Sequence, residues 1–77
     1  MPIIEKIYFK KIYFKLIIKF EDTKKISKEL TDINARIFDI TEHILWDIKV
    51  SYIVFCLDKK DEDRINDLSN NNILVKM

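Results

Sequence analysis

Seventy-seven residues with a formal net charge of +1, 48% of them apolar and 35% charged, make one small domain. A chain of this length buries only about 60% of the surface its unfolded form exposes, so association is the expected extra source of stability. One cysteine excludes an internal disulfide, and one histidine beside one cysteine excludes a zinc site made from those ligands alone.

With no disulfide to form, a reducing cytoplasm is the expected compartment. No membrane span is expected, because the longest apolar run, YIVFCL at Tyr52–Leu57, has the length of a buried strand. Lysines at positions 6, 10, 11, 15 and 19 interrupt the apolar start, so no signal peptide is expected either. The charge is uneven along the chain. Residues 1–28 hold eight lysines against three acids, and the remainder holds six basic residues against ten acids. Such a split points to contact with nucleic acid or between unlike surfaces, or to two solvated halves.

The first element is announced by a duplication, KIYFKKIYFK from Lys6 to Lys15. Strand side chains alternate with period two, so a five-residue step puts the second copy on the opposite face from the first. From Ile12 to Phe20 the even positions Ile12, Phe14, Leu16, Ile18 and Phe20 are all apolar. The odd positions are Tyr13, Lys15, Ile17 and Lys19. The second copy therefore owns the core register of strand one. Residues 1–10 are an N-terminal extension or the start of that strand, and residues 11–77 form the domain.

EDTKK offers Asp22 or Thr23 as a helix N-cap. Ile26, Leu30 and Ile33 follow at amphipathic spacing, and Asn34 is the expected terminator because it tolerates a left-handed conformation. RIFDITEHILW then reads as strand two, with Phe38, Ile40, Ile44 and Trp46 on one face and a bulge near Glu42. VSYIVFCL is strand three, apolar on both faces. Ile53, Phe55 and Leu57 lie on one side, and Val50, Tyr52, Val54 and Cys56 on the other. DKKDEDRINDLSNNN predicts a second helix with acids in its first turn and a thin stripe of Ile65 and Leu68. ILVKM closes with a short strand. The order β-α-β-β-α-β predicts an α+β, ferredoxin-like fold: a four-stranded antiparallel sheet, strands one and three central, with both helices on one face.

Little in the chain points to catalysis, and a non-enzymatic protein without a cofactor is expected. Cys56 lies mid-strand, where a free cysteine is usually a small buried hydrophobe, and His43 lies on a strand beside Thr41. Asp58, Asp61, Glu62 and Asp63 lack the spacing and glycine of a calcium loop and suit a helix N-terminus.

The segment from Ile26 to Asp58 resembles the middle of an ACT domain, a small ligand-sensing regulatory module. It is similar to stand-alone ACT proteins whose second strand reads roughly N-x-x-I-x-D-I-[ST]-Q-x-I-L. Asn34, Ile37, Asp39, Ile40, Thr41, Ile44 and Leu45 fall on or beside those positions, and Asp58 matches an acid that ends the third strand. Glu42 stands where that group has Gln, and the loop FEDTKK has no Gly. The resemblance implies the fold, a habit of dimerising, and a small ligand near Glu21, Asp22, Thr23 and Lys24.

The sheet face away from the helices carries the functional expectation. Tyr13, Ile17, Val50, Tyr52, Val54 and Cys56 should share it, framed by Lys11, Lys15 and Lys19. An apolar face of that extent predicts a protein interface, most simply a homodimer or an unidentified protein partner. The alternative is nucleic acid, with Tyr13 and Tyr52 stacking bases and Lys11, Lys15 and Lys19 meeting phosphates. A small inhibitor encoded by a virus or phage and directed at a host protein is a variant of the first reading.

Overall fold

The computed structural model describes residues 10–66, 68 and 72–77. Most of the first KIYFK copy, expected as an N-terminal extension or the start of strand one, lies outside the described residues.

Strand β1 spans Lys11–Lys19 with the expected parity. Ile12, Phe14, Leu16 and Ile18 are buried, while Tyr13 and Lys19 are exposed and Lys15 and Ile17 half-buried. The strand ends one residue earlier than its pattern. Phe20 opens a 3-10 turn, Phe20–Asp22, and instead of joining the core it is exposed with the Lys49 ammonium 3.7 Å from its ring centroid. A turn at that point rotates Phe20 out of the strand's alternation.

Helix α1 spans Thr23–Asp32 and buries Ile26 and Leu30. Asp22 holds the N-cap position without a side-chain cap bond. The Thr23 hydroxyl instead lies 2.6 Å from the Phe20 carbonyl and 2.6 Å from Ser51 Oγ, which fastens the helix start to the sheet and satisfies a fully buried serine. At the other end Asn34 has φ of 67°, as expected of a C-terminal stop. The Asn34 amide donates to Thr31 and the Ala35 amide to Leu30, which is the Schellman arrangement.

Strands β2 (Arg36–Leu45) and β3 (Ile48–Asp58) form a hairpin, a 3-10 helix covers Lys59–Ile65, and β4 spans Ile73–Lys76. The sheet order is β2-β3-β1-β4, antiparallel throughout, with β1 and β3 central. Ile26, Leu30, Ile65 and Leu68 pack with the even side chains of β1 and with Ile53, Phe55 and Leu57. Phe14 and Phe55 stack at 5.5 Å within that core. Burying a side chain such as Leu16, Leu30 or Phe55 is worth about 1.5–3 kcal/mol each. The result is a small α+β arrangement compatible with the expected split βαβ order. Among the described residues no helix is long and apolar enough to cross a membrane.

Two expectations need correction here. The second helix is a 3-10 helix of seven residues, and its predicted continuation falls partly on residues outside the description. Asp, Asn and Ser fill the segment, and their side chains compete with helical backbone bonds while two apolar residues give little packing to oppose them. The bulge in β2 is at Phe38, not near Glu42. The register jumps between Ile37, opposite Phe55, and Asp39, opposite Val54.

Candidate functional site

The predicted face is assembled by pairing between β1 and β3. Tyr13 stands opposite Cys56, Lys15 opposite Val54, Ile17 opposite Tyr52 and Lys19 opposite Val50. Cross-strand partners share a face, so these residues lie together on the side of the sheet away from α1. Tyr13 is exposed, and Ile17, Val50, Tyr52 and Val54 are half-buried. Strand β4 extends the surface. Ile73 and Val75 pair with Ile17 and Lys15, and the Met77 amide donates to the Tyr13 carbonyl at 2.8 Å. All three of these β4-side residues are exposed.

Cys56 is buried, as a free cysteine in mid-strand is expected to be. It belongs to this face by register but is only 3% exposed, and it stands outside the helix-side core. Its cross-strand partner is aromatic, Tyr13. The extra residue in β2 turns Phe38 to this face, where its ring stacks on Tyr13 at 5.6 Å and 27°. With Cys56 buried, the exposed surface over this part of β3 is Tyr13 and Phe38. Nothing in the alternating pattern marks Phe38, because Phe38 and Ile40 share a parity in the sequence and only the bulge separates them.

Polar groups edge the rings. His43 stacks on Tyr52 at 4.1 Å, and its Nε2 lies 3.0 Å from the Thr41 hydroxyl. The Lys15 ammonium lies 5.5 Å from the Tyr52 centroid, and the Arg36 guanidinium 5.5 Å from that of Phe38. Lys11 is paired with the Asp58 carboxylate. That hydrogen bond raises the Lys11 pKa above the ordinary lysine value and lowers that of Asp58 below the ordinary carboxylate value. Lys11 thus meets an acid of its own chain, whereas Lys15 and Lys19 have no ion pair among the described residues.

The Glu21–Lys24 segment lies apart, at the junction of the 3-10 turn and α1. Glu21 and Lys24 are exposed, Asp22 and Thr23 half-buried, and the Thr23 hydroxyl is occupied by Phe20 and Ser51. The acids after β3 are mostly paired. Asp58 meets Lys11, Asp61 lies 3.6 Å from Arg64, and Glu62 lies 3.3 Å from Lys76. Among the described residues no group of three or more His, Cys, Asp or Glu is placed to hold a metal ion.

Compared with protein families, with curated proteins and with solved structures, the chain finds no match.

Proposed function

We propose that the chain is a non-enzymatic regulatory or partner-binding domain of ferredoxin-like, ACT-related architecture, working in the cytoplasm through the open face of its sheet. Its first partner is a second copy of itself. The observation that carries this reading is the apolar surface running from Ile73 and Val75 across Ile17, Val50 and Val54 to Phe38, with neither helix over it. Three strands of about 30 Å and the short β4 of about 13 Å, at about 4.8 Å spacing, give a face of about 500 Å² in projection. That is the order of the roughly 800 Å² per partner in a specific interface. A chain with so small a core gains most from covering it.

The reading is tested by measuring mass in solution. Wild type should double its mass as concentration rises, and Val54→Lys or Tyr52→Glu should keep the mass of one chain while retaining the fold. A wild type that stays monomeric well above micromolar concentration overturns the self-pairing. The ACT resemblance adds a small ligand near Glu21–Lys24, which a thermal-shift screen of amino acids and nucleotides would find as a raised melting temperature.

Nucleic acid is the second reading, supported by Lys15 and Lys19 beside Tyr52 and Tyr13 on one face. Both tyrosine rings, however, already have a protein ring stacked on them, which leaves them less free to take a base. Absence of a mobility shift with single-stranded RNA or DNA at low salt would eliminate it.

A further inference from the structure

The β2–β3 hairpin runs past the rest of the sheet. The last β1–β3 pair is Lys19 with Val50, so beyond it Ile44 pairs only with Lys49, and Leu45 only with Ile48. Trp46 and Asp47 make the two-residue turn, with φ of 55° and 72°. Positive φ at both positions is what a type I′ turn requires, and its usual occupants are Asn and Gly. For a bulky side chain that region is an outlier. The indole recovers nothing within its own chain, since Trp46 is 93% exposed, and Ile44, Leu45 and Ile48 around its base are exposed as well. A strained turn that holds an aromatic ring out among aliphatic neighbours has the composition of a binding hot spot.

At the diagonally opposite corner of the sheet, where β1 begins and β4 ends, is a cavity of about 250 Å³. Ile12, Tyr13 and Met77 give it an apolar wall, and Lys10, Lys11, Lys59 and Lys76 give it a cationic rim. Lys11 and Lys76 already pair with Asp58 and Glu62, but Lys10 and Lys59 have no acidic partner among the described residues. The hairpin tip offers the opposite sign: Lys49 is paired with Glu42 at 2.8 Å, which leaves Asp47 in the turn as an acid with no ion pair among the described residues. An unpaired carboxylate at the tip disfavours a phosphate backbone there and complements the lysine-rimmed corner, where Lys10 and Lys59 are unpaired.

We propose that two copies of the chain dock reciprocally, the Trp46–Asp47 tip of each seated in the lysine-rimmed cavity of the other. The proposal rests on the open face being a self-interface and specifies how the copies are aligned. A two-fold axis in the plane of that face, perpendicular to the diagonal joining tip and cavity, exchanges the two corners, so both contacts form together. The indole meets Tyr13, Met77 and the lysine cations, and Asp47 meets Lys10 and Lys59.

Trp46 is the only tryptophan, so fluorescence excited beyond the absorption of the three tyrosines reads this ring alone. In the full-length chain, emission should shift to the blue and acrylamide quenching should fall over the concentration range in which scattering mass doubles. Trp46→Ala, at a position exposed enough to leave folding intact, should weaken self-association about thirtyfold. Asp47→Asn and Lys59→Glu should each weaken it, and together by less than the product of the two. Mass doubling with unchanged emission and an undiminished Trp46→Ala dimer overturns the docking while leaving open-face pairing intact. A blue shift at constant mass overturns it too, because the ring is then covered within one chain. A constant mass with an exposed ring sinks both readings.

Discussion

Tyr13 of β1 and Phe38 of β2 stack ring on ring, 5.6 Å between centroids, although β3 runs between their strands. Strands two places apart are about 10 Å from each other, so both rings lean inward across β3, where Cys56 is the partner of Tyr13. The bulge at Phe38 is what makes this reach possible, since a regular β2 would carry that ring to the helix side. Truncating either ring should open the thiol. Phe38→Ala should raise the rate of Cys56 alkylation at least about tenfold and cost about 1–2 kcal/mol in urea unfolding, from the lost stack and its buried area. Unchanged alkylation in that variant would show that another group covers the cysteine.

The hairpin turn trades local stability for what it presents. Replacing Trp46–Asp47 by Asn–Gly puts the residues that favour positive φ where φ is positive. The variant should be more stable than wild type by about 1 kcal/mol, which for a domain of this size raises Tm by about 4–8 °C in dilute solution. A lowered Tm would mean that the indole contributes to the monomer after all.

The Lys11–Asp58 pair predicts a pH dependence with a definite sign. The folded-state pKa of Asp58 is lowered by its hydrogen bond from Lys11, so its contribution is present above the ordinary carboxylate range and is lost as pH falls through the folded value. The pKa of Lys11 is raised by the same bond, so its contribution is present below the ordinary lysine value and is lost as pH rises through the folded one. Asp58→Asn should therefore flatten the acid limb of the stability profile and lower stability near neutrality. Urea unfolding at a series of pH values reads both effects. Equal acid limbs in variant and wild type would show that the pair does not form in solution.

Leu30 is the best single probe of the helix-sheet core, being fully buried in the last turn of α1. Leu30→Ala should cost about 2–5 kcal/mol, a large part of the stability available to so short a chain. Circular dichroism should then show a population of unfolded chain at moderate temperature. An Asn34→Ala variant should lose less, from strain at a positive φ, and should leave the sheet unchanged.

Local periodicity carried the central part of the architecture. The alternation from Ile12 to Phe20 sets the parity of β1, because a half-buried strand with period two has one way to place its apolar side chains. Ile26 and Leu30, closed by Asn34, define α1 for the same kind of reason, since both the spacing and the stop signal act within a few residues. The two-sided apolarity of β3 predicts its central place in the sheet. These features are written in neighbouring residues, and the structure has them where the pattern puts them.

Contacts between distant segments decided the rest. Phe38 and Ile40 share a parity in the sequence, and only the register against β3 creates the bulge that sends Phe38 to the open face. Cys56 shares the open face by register, yet the packing around it leaves it buried. Phe20 continues the apolar alternation of β1, yet the chain turns there and exposes it to Lys49. Trp46 looks like one more apolar strand residue, and no Asn-Gly pair marks the reversal that places it at the hairpin tip. In each case the sequence supplies an apolar side chain, but which surface it joins depends on the backbone that runs beside it. That backbone comes from segments far away along the chain.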